Sequence, residues 1–149
     1  MLPTELKPGD TLGRYEILLP VAKGGMAAVW ASRLVGSRGF QKLVAIKTML
    51  PDLSDNDDFE AMFLDEARLA SRIRHPHVVE IVDLGDEDGL LYLVMEWVDG
   101  ETIFTLNKSA RTQGGIPLPI LLRIVSDACA GLHAAHELRD DKGQLLNLV

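Results

Sequence analysis

The sequence predicts an α+β fold, a five-stranded antiparallel sheet carrying one helix and followed by a helical part, and three observations predict it. Apolar, β-branched runs separated by glycine-bearing stretches fill the first third of the chain; a long amphipathic segment with an acidic start follows; and after two more strand-like runs the apolar spacing becomes helical. With 149 residues, 47% hydrophobic and 25% charged, the chain can bury a core. Net charge is −7 and the basic residues are dispersed, which leaves no electrostatic footprint for nucleic acid or an anionic membrane. The N-terminal stretch "MLPTELKPGD" has neither the basic nor the apolar region of a leader, and nowhere is there an uninterrupted apolar run of about 18 residues. A cytoplasmic protein with no membrane segment is expected.

The strands come in order. "RYEILLPV", "AAVWASRL" and "KLVAIKTML" form a meander, separated by "AKGGM" and "VGSRGF". In "SDNDDFEAMFLDEARLASRIRHP" Ser54 or an aspartate just after it caps a helix, acidic residues occupy its first turn and Pro76 closes it, so a helix is expected from about Asp55 to Arg74. "HVVEIVDLG" and "LLYLVMEWV" flank "DEDG", whose Asp88-Gly89 pair suits a tight hairpin turn. Beyond the linker-like "VDGE", "TIFTLNKSA" is a short helix, "RTQGGIPLP" a loop and "PILLRIVSDACAGLHAAHEL" a helix with Leu121, Val125, Ala128, Leu132 and Ala135 on one face. Three regions follow, 1–97, 98–101 and 102–149. A cleft between the strand-rich and helix-rich halves is the natural ligand site.

Lys47 interrupts an otherwise apolar strand, and an ammonium in such a place needs a partner. The next helix supplies one. Phe59, Met62, Phe63, Ala70 and Ile73 share a helical face, and Glu66 falls near its centre. The pair can fix the helix on the sheet, or it can leave ammonium protons free for an anion. Upstream, the Gly24-Gly25 step in "VAKGGMAAVW" lets backbone pass close over a ligand with amides facing phosphate oxygens.

Taken together, these segments resemble the N-terminal lobe and first large-lobe helices of a protein kinase, most similar to the bacterial serine/threonine kinases of eukaryotic (Hanks) type. "VAIK" matches the family's third-strand lysine, which implies that Lys47 grips the α- and β-phosphates of ATP, and Glu66 matches the αC glutamate paired with it. "HPHVVEIVDLG" resembles the stretch leading into the fourth strand, and "LYLVMEWVDG" the fifth strand and hinge. The resemblance implies Met95 as gatekeeper, adenine hydrogen-bonded by the backbone of Glu96 and Val98, and its ring held between Val21, Val29 and Ala45. It makes 1–97 the N-lobe, 98–101 the hinge and 102–149 a partial C-lobe with helices αD and αE. Two departures stand out. Where the family has three glycines, the loop reads Ala22-Lys23-Gly24-Gly25-Met26-Ala27-Ala28-Val29, keeping the middle one. "GQLLNLV" resembles the strand before the catalytic loop, so no catalytic aspartate and no Mg²⁺ ligand is assigned to these residues. ATP, a protein substrate and the remaining C-lobe are the implied partners.

Other candidates carry plainer readings. Cys129 sits among small residues as a packed, reduced thiol; His75 and His77 lie where a helix ends and a strand begins; His133 and His136 lack the His-Glu-x-x-His arrangement; and "DLSDNDDFE" lacks the glycine and distal glutamate of a calcium loop. Two functions are expected to compete: the ATP-binding portion of a serine/threonine kinase, or a degenerate homologue that binds nucleotide or protein without chemistry. A P-loop enzyme is excluded, because no Gly-Lys-Ser/Thr follows the glycines.

Overall fold

A computed structural model describes residues 6–50, 56–146 and 148. Six strands, β1 (Thr11–Leu12), β2 (Tyr15–Lys23), β3 (Ala27–Val35), β4 (Gln41–Met49), β5 (Ile81–Glu87) and β6 (Leu90–Glu96), form one antiparallel sheet in the order β1-β2-β3-β4-β6-β5. The five expected strands are all present. The sixth, β1, is a two-residue strand too short to leave a periodic signal.

Alternation along the strands separates two faces. Ile17, Val44, Ile46, Tyr92 and Val94 lie on one, buried together with Leu12, Tyr15 and Leu90. The register pairs Val29 with Lys47, Ala45 with Met95 and Lys47 with Leu93, placing these residues on the other face. There Leu93 is covered by Phe63 and Ala67 of α1 (Asp57–Arg72), with Ile81, Leu91 and Met95 packed around them. The sheet also curls until its flanks meet: the Tyr15 hydroxyl donates to Asp83 Oδ2 at 2.9 Å, and the Gly13 N–H donates to Glu87 Oε2 at 3.2 Å.

The β5–β6 turn is of the expected kind. Asp88 (φ 52°) and Gly89 (φ 83°) both adopt the left-handed region that a two-residue turn requires, and Asp86 Oδ1 accepts the Gly89 N–H at 3.0 Å. The start of α1 differs from expectation. Ser54 and Asp55 lie outside the described residues; Asn56 provides the cap, its Oδ1 accepting the Asp58 N–H at 3.0 Å and its carbonyl accepting from Glu60. The helix ends at Arg72, earlier than Arg74, because the chain leaves the sheet there.

Two compact units result. One contains the chain up to Arg72 and Glu80–Trp97; the other contains Ile73–Val79 and the chain from Val98 onward. A linear division assigns Ile73–Val79 to the strands, yet in space this segment belongs with the helices. In that second unit α2 (Ile103–Ala110) is capped by Thr102, whose Oγ1 accepts the Thr105 N–H at 3.2 Å. A 3₁₀ turn (Arg111–Gln113) leads on to α3 (Leu118–His136), which starts with proline in its first turn. The segment 73–79 lies close against α3: a Cβ on Gly131 would meet the His77 carbonyl oxygen at 2.9 Å. His77 Nε2 stands 3.4 Å from Asp127 Oδ1, and Arg123 Nε donates to both Asp127 oxygens at 2.9 Å. Residues 138–146 form a small hairpin whose turn is held by Asp140, its Oδ1 accepting the Lys142 and Gln144 N–H groups.

One expectation about α3 is corrected. Cys129 is exposed rather than packed, since small neighbours do not by themselves bury a residue. By length and composition alone α3 is long and apolar enough to cross a membrane, although Arg123 and Asp127 interrupt its apolar run. The charged Arg123–Asp127 pair and the docked segment 73–79 cross its middle, as on a helix of a folded domain.

Candidate nucleotide site on the sheet unit

Lys47 and Glu66 meet: Nζ to Oε1 is 2.6 Å, within the range of a charge-assisted hydrogen bond. The setting is more open than the sequence suggested. Side-chain exposure is 23% for Lys47 and 56% for Glu66. The centre of the buried helical face belongs instead to Phe63 and Ala67, with Met62 exposed and Ile73 beyond the helix end. A rotation of α1 by a fraction of a turn places Glu66 at the rim, where it reaches Lys47 without being entombed. So placed, the pair escapes most of the desolvation cost of a buried ion pair.

Phe63, expected on the inner face of the helix, also meets the Lys47 ammonium, a contact that sequence reasoning missed. Its ring centroid lies 5.9 Å from Lys47 Nζ, a cation–π distance, and the signal was its place three residues before Glu66 on the same helical side. Met26, Met49, Met62, Phe59 and Phe63 wall a cavity of about 100 Å³ whose lining includes Lys47 and Glu66.

The loop joining β2 and β3 is closed by the Gly24 N–H donating to the Ala27 carbonyl at 2.8 Å. Neither Gly24 nor Gly25 takes a positive φ. A Cβ at Gly25 would meet nothing within 4 Å, and one at Gly24 only the Ala27 carbonyl oxygen at 3.6 Å. The fold therefore does not require glycine at either place, whereas a ligand approaching the backbone would. Ala22 pairs with Val29, and Val21 falls at a register shift between Pro20 and Ala22, half exposed.

On the sheet face that carries Lys47, Val29, Ala45 and Met95 are partly buried. Glu96 ends β6, and its N–H donates to the Glu80 carbonyl at 2.9 Å, so of its backbone only the carbonyl could receive an adenine amino group. Val98, 59% exposed, belongs to the second unit. The sheet unit thus brings together Val29, Ala45, Lys47, Glu66 and Met95. Among the described residues no three His, Cys, Asp or Glu side chains gather as metal ligands.

Comparison with known proteins finds protein kinases. The tyrosine-protein kinase MasK of Myxococcus xanthus is 45% identical over 138 residues, 92% of this chain and 21% of its own length. The serine/threonine-protein kinase PrkC of Bacillus subtilis is 34% identical over 125 residues, 84% of this chain and 18% of its own. Among solved structures, the PknI kinase domain of Mycobacterium tuberculosis superposes with a TM-score of 0.66 at 27% identity, covering 90% of this chain and 53% of that domain. The chain therefore spans about a fifth of the length of such relatives. The protein kinase domain family matches residues 15–139, and with the Lys47–Glu66 pair in place on its sheet the chain belongs to that family.

Proposed function

We propose that this chain is the ATP-binding portion of a protein kinase that, together with a catalytic loop, transfers the γ-phosphoryl group of ATP to serine or threonine hydroxyls of a protein substrate. The single observation that carries this reading is the Lys47–Glu66 pair on the same sheet face as Val29, Ala45 and Met95. Glu66 accepts a hydrogen bond from the Lys47 ammonium and holds the lysine in place, leaving its other N–H groups to donate to α- and β-phosphate oxygens. Gly24 and Gly25 let backbone amides approach the same phosphates. Val21, Val29 and Ala45 pack the adenine ring, Ala22 opens the loop over the nucleotide, Met95 limits the depth of the pocket behind the ring, and the backbones of Glu96 and Val98 read its edge. ATP with Mg²⁺ is the cofactor pair that family membership implies; the residues named here act on base and phosphates.

A second reading of the acceptor has a specific support: the relative at 45% identity is named a tyrosine-protein kinase. Phosphoamino-acid analysis of the natural protein's autophosphorylation products separates the two. A non-catalytic nucleotide- or protein-binding role is favoured by Ala22 and Ala27, which stand where the family's outer loop glycines would be.

The test is calorimetric titration of ATP and ADP, with a radiolabelled transfer assay beside it. The 149-residue chain should bind nucleotide weakly and transfer nothing, because positioning plus electrostatic stabilisation of the moving phosphoryl group needs groups it does not supply. Lys47→Met should weaken binding roughly tenfold or more, the worth of charge-assisted bonds to phosphate. Absence of binding at millimolar nucleotide reduces the reading to a protein-binding module. Transfer by the chain alone, abolished in Lys47→Met, would place catalytic groups among these residues.

A further inference from the structure

Glu96 is tied to Glu80 twice. Its N–H donates to the Glu80 carbonyl at 2.9 Å, a bond any residue could make. Its Oε1 also accepts the Glu80 N–H at 2.9 Å, and that bond belongs to the side chain. The location gives the second bond a task. Glu80 is where the chain rejoins the sheet unit, and Glu96 stands one residue before the last residue of that unit, Trp97. At this same end the β5–β6 ladder is irregular, with a register shift between Ile81 and Asp83, so backbone pairing alone holds it less firmly than the turn end.

We infer that the Glu96 carboxylate is a positioning residue for adenine recognition. Anchored at its amide and at its carboxylate, Glu96 has little freedom about φ, and its pairing opposite Val44 at the end of the β4–β6 ladder limits ψ, so the direction of its carbonyl is set before any nucleotide arrives. Preorganisation of this kind raises affinity by removing an ordering cost from the binding step. The carboxylate acts through the Glu80 N–H that it accepts. This inference rests on the nucleotide reading above, and its test separates the two.

Adenosine and tripolyphosphate are titrated separately into the full chain and into Glu96→Ala, Glu96→Gln and Glu96→Asp, while amide exchange at Glu80 is followed by NMR. Glu96→Ala should weaken adenosine roughly three- to tenfold, the range for one lost hydrogen bond, with tripolyphosphate, held by Lys47, unchanged. Glu96→Gln keeps an acceptor at the same reach and should restore most of the adenosine affinity. Glu96→Asp, one methylene short, should behave like Glu96→Ala while preserving charge. Glu80 amide exchange should accelerate in the Ala and Asp variants only. Equal adenosine affinity in Glu96→Ala and the parent overturns the inference and leaves nucleotide binding standing. A parallel loss of tripolyphosphate also overturns it, showing general loosening. A parent chain that binds neither probe defeats the nucleotide reading and this inference with it.

Discussion

The sheet unit and the helical unit use similar apolar content to different ends. In the first, Ile17, Val44, Ile46 and Val94 are completely buried, and both faces of the central strands are engaged, one by the sheet's own curl and one by α1. In the second, among the described residues of its helices, only Gly131 is buried, while Leu118, Ile120, Leu122, Val125 and Leu132 are each at least half exposed. Hydrophobic stabilisation follows area removed from water, so the sheet unit holds most of the stability visible in this chain. Helix α3 has the amphipathic sequence of a core helix without the burial that usually accompanies it, which leaves an apolar face of the kind that seeks cover.

The contrast breaks most sharply under truncation of matched side chains. Ile46→Ala should cost about 2–5 kcal/mol, through lost transfer energy and the cavity left behind. Leu122→Ala, at a site 60% exposed, should fall within about 0.5 kcal/mol of the parent. Urea unfolding of both variants measures the difference, and equal effects would mean that α3 is covered in solution.

Alkali should come next. Burial raises the ionisation of Tyr15 and Tyr92 above the usual tyrosine value, with Asp83 adding to the effect on both and Arg14 opposing it. The folded state therefore binds these protons more tightly than the unfolded chain. Their contribution is fully present below about pH 10, the ordinary tyrosine value, and is lost as pH rises from there through the folded-state values. Tyrosinate absorbance followed beside circular dichroism should show ionisation arriving together with loss of the sheet, while α-helical signal from the second unit changes less.

The smallest effect has the opposite sign. Ser32 is completely buried between Ile17 and Val44 in the ladder, and its hydroxyl has no hydrogen-bond partner among the described residues. Ser32→Ala should stabilise the sheet unit by about 1 kcal/mol, the cost of a buried, unmade hydrogen bond. A loss of stability in thermal unfolding would mean that the hydroxyl is satisfied in solution.

Much of the sheet unit was legible in the sequence because its signals are local: alternation in "KLVAIKTML", the Asp88-Gly89 turn, and Lys47 and Glu66 as charges in apolar surroundings. Their pairing could be anticipated, since a strand lysine and a glutamate on the following helix have few other partners. What escaped is what depends on distant residues. The rotation of α1 that centres Phe63 and Ala67 rather than Glu66 is set by Leu93, far along the chain. Nothing local marks Gly85 within its strand, yet a Cβ there would lie 2.1 Å from the Tyr92 ring. The assignment of Ile73–Val79 to the helical unit depends on close packing at Gly131, which no periodicity announces.

The meeting of the sheet's two flanks has a consequence for the order in which the fold is made. Tyr15 and Asp83 are separated by 68 positions, and Gly13 and Glu87 by 74. Closing so long a loop is entropically slower than zipping the β2–β3–β4 meander, so the meander can assemble first with one flank still unclosed. A nascent chain emerging N-terminus first carries Tyr15 uncovered until β5 and β6 have been synthesised. Only when Asp83 and Tyr92 arrive does the first strand pair gain its cover, and the same event pairs the open edge of β4 with β6, closing that edge to neighbouring chains.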